Sequence, residues 1–160
     1  MVKTSSQLTT MPNQINVKII NKAKHNFGNP TYADPGSSGM DVRASLDEFE
    51  VVRPGHRKLI PTGLFMEIPQ GYEIQIRPRS GLAAKKGITV LNTPATIDSS
   101  YRGELGVIIQ NNGQEDFIIE NGDKIAQLVL CEVPKCIWED TDTLSETERG
   151  EGGYGHSGIK

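Results

Sequence analysis

An acid and an aromatic residue in residues 94–105 are placed where their side chains can act together. These residues, Asp98 and Tyr101, lie between apolar runs rich in β-branched side chains at residues 88–91 and 105–109, a pattern that predicts a β-hairpin. A carboxylate in a partly dry pocket can orient and deprotonate a water molecule. An aromatic face beside it suits a flat base or a sugar ring. The alternative is a tight hairpin whose aspartate only caps a turn.

A second group of residues has the chemistry of an anion site. Arg77 and Arg79 lie directly before the one short helix that the sequence predicts, for which Ser80 is the expected N-cap and Gly87 the C-terminal stop. The free N–H groups and the positive dipole end of a helix N-terminus attract anions, and Gly81 allows a ligand to approach closely. The alternative is a solvated arginine pair next to a simple helix cap.

The C-terminal residues 139–160 are predicted to form an arm outside the core. The first half of this arm is acidic and weakly apolar. Its second half places five glycines around one tyrosine in residues 149–158. Glycine-rich backbone can turn its N–H groups inward to hold an anion, and Arg149 can add a charge-assisted fork for phosphate. A disordered tail is the alternative, since glycine-rich chain ends often lack fixed structure.

Size and charge limit the class of protein. The 160 residues suit one domain, and a net charge of −3 provides no basic field for a nucleic-acid backbone. No apolar run approaches the ~20 residues that span a bilayer, so neither nucleic acid nor a membrane is an expected partner. Residues 1–14 lack the features of a signal or transit peptide and are predicted to be a disordered tail. The two cysteines are expected to be reduced thiols of a cytoplasmic protein.

Between these termini, residues 15–138 are predicted to form an all-β domain. Short runs with strand character alternate with glycine, proline and asparagine turns, which suggests a sandwich, jelly roll or barrel. The predicted strands are residues 15–20, 40–46, 58–68, 72–77, 88–91, 105–110, 117–119 and 125–130.

Five segments in a fixed order carry a resemblance to a known family. Residues 35–42, 77–83, 92–105, 122–129 and 149–158 closely resemble the five motifs of the trimeric dUTP diphosphatases (dUTPases). The resemblance runs from about residue 15 to residue 158. It implies a jelly-roll-like distorted barrel assembled as a homotrimer, in which each active site lies between subunits and the arm of one chain closes a site formed by others.

The implied reaction is the Mg²⁺-dependent hydrolysis of dUTP to dUMP and diphosphate, which limits uracil in DNA and supplies dUMP for thymidylate synthesis. By this resemblance Asp98 activates the water that attacks the α-phosphorus, and Tyr101 packs against the sugar and excludes a 2′-hydroxyl. Uracil is recognised by Asn92 and by the backbone of Thr96, Ile97 and Asp98; Gly106 lets the base approach, and Tyr154 of the arm covers it.

The resemblance also implies how the triphosphate and the metal are held. Asp41 faces the magnesium region through water. The phosphate-binding residues are Arg79, Ser80, Gly81, Gln127, Arg149, His156 and Ser157. His156 is expected to add a hydrogen bond or partial positive charge near the γ-phosphate.

Two places depart from the family pattern, which usually has glycine where this chain has Ala95, and Ser-Thr where it has His156 and Ser157. We expect Ala95 to adopt a negative φ and to leave uracil recognition intact. Two other functions remain as alternatives. One is a deaminase acting on dCTP, which resembles this fold; the other is a regulatory module that uses the same scaffold to bind a protein partner.

Overall fold

The computed structural model describes residues 14–154. In this range the chain forms ten strands and one short helix, which confirms the predicted all-β, jelly-roll-like fold. The strands are β1 Lys18–Asn21, β2 Met40–Arg43, β3 Glu50–Val52, β4 Arg57–Glu67, β5 Tyr72–Arg77, β6 Ile88–Val90, β7 Ala95–Ile97, β8 Glu104–Asn111, β9 Phe117–Ile119 and β10 Lys124–Glu132, and the helix is α1 Ser80–Lys86.

The strands form two four-stranded sheets and a small ribbon. The first sheet has the order β1-β4-β8-β6, the second sheet has the order β2-β10-β5-β7, and β3 pairs with β9. All of the strand pairs are antiparallel. Strands that are distant in the chain are neighbours in both sheets, as in jelly-roll folds.

The core lies between the two sheets because the strands bury every second side chain. In β8 the buried residues Leu105, Val107 and Ile109 alternate with half-buried ones, and in β5 Ile74 and Ile76 do the same. Each fully buried aliphatic side chain contributes roughly 1.5–3 kcal/mol to stability relative to an exposed one. This period of two is also what made the strands visible in the sequence.

The predicted hairpin exists, but its connection is more elaborate than expected. The strands β6 and β8 pair as predicted, with Ile88 opposite Asn111 and Val90 opposite Ile109. The chain between them, however, crosses to the second sheet, where β7 pairs with β5. Burial accounts for the crossing, since Ala95 is only 6% exposed against the core. The strand β3, which has three residues, was also missed.

The helix begins one residue earlier than predicted, so Ser80 is not its N-cap. Arg79 occupies the N-cap position with an extended backbone, φ −87° and ψ 127°, and no side chain caps the helix. The predicted C-terminal stop is correct: Gly87 has φ 67° and its N–H bonds back to the carbonyls of the last turn. Lys85 and Lys86 in that turn complement the helix dipole.

Within residues 14–154, no helix is both long and apolar enough to cross a membrane. The predicted N-terminal tail, except for Gln14, lies outside the described residues.

We predict that Gly63→Ala destabilises the domain by more than about 2 kcal/mol. Gly63 has φ +69°, and a Cβ there would lie 2.6 Å from the backbone of Ala23, so a left-handed strain of about 1–2 kcal/mol adds to a backbone clash. Gly55→Ala is the matched control, because Gly55 has φ +77° but open space around it. Denaturant unfolding at fixed protein concentration measures both, and equal losses would show that the Ala23 contact is unimportant.

Candidate active site

The residues of the β domain that the sequence predicts to bind the nucleoside all line one cleft. This cleft has a volume of about 280 Å³ and lies between the β6–β7–β8 connection and the ends of β4 and β5. The six predicted residues that line it are Asn92, Thr96, Ile97, Asp98, Tyr101 and Gly106. The structure therefore brings together residues from two strands, β7 and β8, and from the connections that precede them. We call this cleft the hairpin cleft.

The floor of the hairpin cleft is apolar. Ile76, Ala95 and Ile108 line it together with Leu59, whose side chain is 67% exposed. Gly106 stands between the buried Leu105 and Val107 in β8 and so faces the cleft. A Cβ at Gly106 would lie 2.7 Å from the Leu59 side chain, so the missing side chain keeps the floor open.

Ala95 has the conformation that the sequence analysis expected. It lies in β7, opposite Ile76 of β5, in extended backbone that any residue adopts. Alanine therefore imposes no left-handed strain at this position. Its methyl group is buried and contributes to the core beneath the cleft.

The mouth of the hairpin cleft carries the carboxylate and the aromatic ring. Asp98 is exposed to solvent, and its carbonyl accepts a 3.1 Å hydrogen bond from the Tyr101 N–H. The Tyr101 hydroxyl donates a 2.9 Å bond to the Glu104 carbonyl. This bond directs the ring along the backbone of the hairpin, where it forms one wall of the cleft.

Two further residues support this wall and were missed in the sequence. A Cβ at Gly103 would lie 2.3 Å from the Tyr101 hydroxyl oxygen, so only glycine lets the ring lie over the chain here. Glu104 also lines the cleft, and its carboxylate accepts a 2.8 Å bond from the Gly63 N–H. A glycine two residues after a predicted functional tyrosine was the available signal for Gly103; the partner of Glu104 is distant in the chain and leaves no local signal.

The phosphate and metal residues form a second group at the start of α1. The Arg79 Nε donates a 2.9 Å bond to Asp41, and the Lys124 ammonium lies 2.7 Å from the other Asp41 oxygen. Gln127 donates a 2.9 Å bond to the Pro78 carbonyl. We call these paired side chains of Asp41, Arg79 and Lys124 the ion cluster. Ser80 is exposed beside it on the first turn of α1.

The pKa of the Asp41 carboxyl reflects this surrounding charge. Partial burial opposes ionisation, but the hydrogen bond from Lys124 and the charges of Arg79 and Lys124 outweigh it and hold the pKa below its ordinary value. Asp41 is therefore an anion at neutral pH. Sequence reasoning identified Asp41 and Arg79 but missed Lys124, since only the pairing of β2 with β10 brings it to them.

Asp98 of the hairpin cleft and Arg79 of the ion cluster lie beyond opposite ends of one strand pair. The strands β5 and β7 are antiparallel, with Ile76 opposite Ala95 and Ile74 opposite Ile97. Asp98 follows β7, whereas Arg79 follows β5, so the two residues leave the pair in opposite directions. Along this register Arg77 and Asp98 differ by four positions, about 13 Å at the rise of a strand. One chain therefore does not by itself bring Asp98 next to the ion cluster.

The described part of the arm presents its large side chains to solvent. Leu144 and Tyr154 of the arm are 87% and 111% exposed, and Ile137 and Trp138 directly before it are 94% and 88% exposed. Arg149 donates a 2.8 Å bond to the Gly152 carbonyl within a local turn. His156 and Ser157 lie outside the described residues.

The donor groups for a divalent cation are sparse in this site. Among residues 14–154, no group of three or more histidine, cysteine, aspartate or glutamate side chains is arranged to hold a metal ion. Asp41 is the acid nearest to the predicted phosphate residues, and each of its oxygens faces a cation. This donor set fits a magnesium ion that takes most of its ligands from phosphate oxygens and water.

We predict that the stabilisation by Asp41 disappears in acid. A carboxyl with a lowered pKa stabilises the folded state above its unfolded pKa of about 3.9, and this contribution is lost as pH falls through the folded value. Asp41→Asn should therefore be less stable than the parent at pH 7, with a difference that shrinks below about pH 4. Asp47→Asn, which removes an 81% exposed partner of Lys24, should change little at either pH. A pH-independent difference for Asp41→Asn in denaturant unfolding would contradict this assignment.

Comparison with known proteins identifies the family. The family model named dUTPase matches residues 25–158. A deoxyuridine 5'-triphosphate nucleotidohydrolase of Syntrophotalea carbinolica is 54% identical over 130 residues, which cover 81% of this chain and 88% of that protein. A protein of the same name from Treponema denticola is 53% identical over 143 residues, covering 89% of this chain and 99% of the relative.

A solved structure has the same architecture. The dUTPase of Staphylococcus bacteriophage 80alpha, determined with dUPNHPP, superposes with a TM-score of 0.78 at 25% identity and covers 90% of this chain and 99% of that chain. A family match over most of the chain, two relatives that share more than half of the aligned residues, and a common fold lead to one conclusion. This chain belongs to the dUTPase family.

Proposed function

We propose that this chain hydrolyses dUTP to dUMP and diphosphate, with Asp98 as the base that activates the attacking water. The observation that supports this proposal best is the hairpin cleft, which is lined by six predicted nucleoside residues and has Asp98 and Tyr101 at its mouth. Membership of the dUTPase family points to the same substrate. An exposed carboxylate at the edge of an apolar cleft is placed to hold a water against the nucleotide.

In this proposal the polar groups at the edges of the cleft select the base. The backbone of Thr96 to Asp98 and the side chain of Asn92 supply donors and acceptors around an apolar floor. A base with a different hydrogen-bonding edge would leave these groups unpaired, and such mismatches reject a substrate strongly, up to ~10⁴-fold or more. Tyr101 forms the wall on which the sugar packs, and a 2′-hydroxyl would meet its ring.

The ion cluster supplies the triphosphate site in this proposal. Arg79, Ser80, Gly81 and Gln127 would bind the phosphates, and Asp41 would face a magnesium ion through water. When bound, the ion would screen the phosphate charge and align the leaving diphosphate. Asp41 also orients Arg79 through their 2.9 Å bond, so the guanidinium is held in place before substrate arrives.

A homotrimer with shared active sites, as the dUTPase resemblance implies, agrees with the separation of Asp98 from the ion cluster. Asp98 and Arg79 leave the β5–β7 pair at opposite ends, so a complete site needs the cleft of one subunit and the ion cluster of another. A closed three-fold arrangement repeats one such interface three times. The exposed side chains of Leu144 and Tyr154 suit an arm, residues 139–160, that reaches over a neighbouring subunit and closes the site with Tyr154, Arg149, His156 and Ser157.

We expect Asp98→Asn to lower kcat for dUTP by about 10²–10⁴-fold, because an amide cannot accept the proton of the attacking water. Diphosphate release from dUTP with Mg²⁺ measures the effect. Asp116→Asn is the matched control, since Asp116 is an exposed acid near β9 with no place in either group of site residues. Parent and Asp98→Asn enzymes with equal activity would refute the role of this carboxylate.

The same assay separates the alternative functions. A dCTP deaminase would release ammonia from dCTP, and a regulatory nucleotide sensor would bind dUTP tightly without turnover. We expect the parent to release diphosphate from dUTP and no ammonia from dCTP.

Mixing two inactive variants tests the shared site and the arm together. One variant carries Asp98→Asn, and the other ends after Trp138 and so lacks the arm. If the arm closes a site on another subunit, random mixed trimers should have an intact acid and an intact arm at about a quarter of their sites. Activity of the co-expressed mixture, compared with each variant alone, measures this. An inactive mixture of confirmed mixed trimers would show that each arm serves its own chain.

The cellular setting of the proposed reaction follows from the chemistry of the product. Removal of dUTP would limit uracil in DNA, and dUMP would serve thymidylate synthesis. We further propose a cytoplasmic location, which agrees with the free thiols of Cys131 and Cys136.

A further inference from the structure

Arg102 makes two hydrogen bonds to the turn that carries Asp98 and Tyr101. Its Nη1 donates to the carbonyl of Ser99 at 2.7 Å and to the carbonyl of Tyr101 at 2.8 Å. Both acceptors belong to the backbone of residues 98–101. Hydrogen bonds from a charged donor are shorter and stronger than neutral ones, so these two contacts restrain the turn more than ordinary loop contacts do.

The turn has few other restraints within the described residues. Its own backbone contributes the bond from the Tyr101 N–H to the Asp98 carbonyl, at 3.1 Å. The only other side-chain bond from or to residues 98–103 there is that of the Tyr101 hydroxyl to the Glu104 carbonyl. Ser99 and Ser100 make no side-chain hydrogen bond to the described residues. Without Arg102, two backbone carbonyls would lose their partner at the place where Asp98 is held.

The Arg102 side chain approaches the turn from the first sheet. It lines a groove of about 330 Å³ together with Phe65, Met66 and Glu67 of β4, whereas Asp98 lines the hairpin cleft. Phe65 is the register partner of Glu104 at the start of β8. The Arg102 side chain therefore lies beside β4 of the first sheet while its hydrogen bonds go to the turn.

We propose that Arg102 is a positioning residue, which fixes Asp98 and Tyr101 relative to the hairpin cleft by its hydrogen bonds to the turn and not by its charge. The side chain is exposed, and solvent screens the field of an exposed charge. The two carbonyls, in contrast, accept its protons directly. The proposal rests on the proposed function, because its catalytic consequence requires that Asp98 activates water and that Tyr101 contacts the sugar.

The kinetic test compares Arg102→Met, Arg102→Lys and the control Arg57→Met. Methionine has similar length but no donor, so kcat for dUTP should fall about 10–100-fold, as expected for a catalytic group displaced by about 1 Å. The preference for dUTP over UTP should fall in the same variant, because Tyr101 is on the same turn. Lysine keeps donors that reach both carbonyls and should restore most of both quantities. Arg57 is exposed and is the first residue of β4, at the other end of that strand from Phe65 and Glu67. The control Arg57→Met should therefore behave as the parent.

The pH profile separates positioning from an effect of charge. If Arg102 acted through its positive charge, its removal would move the acid limb of kcat/KM to higher pH. Positioning predicts a lower plateau with an unmoved acid limb. A shifted limb in Arg102→Met, or parent-like kcat and dUTP preference, would overturn the proposal.

A measurement without nucleotide keeps this proposal distinguishable from the proposed function. Hydrogen exchange of the Tyr101 amide, which bonds to the Asp98 carbonyl, should be at least about 10-fold faster in Arg102→Met than in the parent and near parental in Arg102→Lys. If the parent failed to cleave dUTP, the proposed function would fall, while faster exchange would still support the link to the turn. Unchanged exchange in a folded Arg102→Met variant would refute that link, whatever the activity. If Arg102→Met did not fold, Arg102→Leu, which also lacks a donor, would take its place in both tests.

Discussion

The site depends on one strand pairing, that of β5 with β7. The chain leaves the first sheet after β6, pairs with β5 in the second sheet for three residues, and returns to the first sheet as β8. This crossing leaves a gap between the two sheets, and the gap is the hairpin cleft. It also exposes the backbone of the connection on the cleft side while Ala95 is buried beneath it. A simple two-residue turn between β6 and β8 would have no such surface.

The same pairing explains why the functional groups of one chain are divided. Because β5 and β7 run in opposite directions, the carboxylate that follows β7 and the arginine that follows β5 face opposite ends of the sheet. The second sheet then gathers charges at the arginine end, where Asp41 of β2 and Lys124 of β10 meet Arg79. The proposed intermolecular site would use this division, since another copy of the chain could supply what each end lacks.

The mouth of the cleft depends on small backbone features more than on its reactive groups. Gly103 lets the Tyr101 ring lie on the chain, Glu104 accepts a bond from Gly63 of β4, and the turn at Asp98 is closed by short hydrogen bonds. These contacts orient the exposed side chains at the mouth of the cleft although the side chains are not buried. The carboxylate stays open to water, as its proposed chemistry requires, while its backbone is held.

Much of the fold and part of the site are determined by the sequence alone. The period-two burial of β5 and β8, the glycine that ends α1 and the motif order identify the all-β fold and the family, because these signals are local or repeated along the chain. The candidate residues Asp98, Tyr101, Asp41 and Arg79 carry such local signals too. The N-cap of α1 was predicted wrongly, because an extended residue held by a distant carboxylate took the place of a serine that usually caps.

Only the tertiary structure decided which of these residues lie together. Lys124 beside Asp41, Glu104 beside Gly63 and the crossing of β7 into the second sheet are contacts between residues far apart in the chain. No local pattern encodes them, because each depends on how the sheets pair and on the register of that pairing. Short sequence segments therefore determine which chemical groups the site contains, whereas the packing of the two sheets determines their geometry.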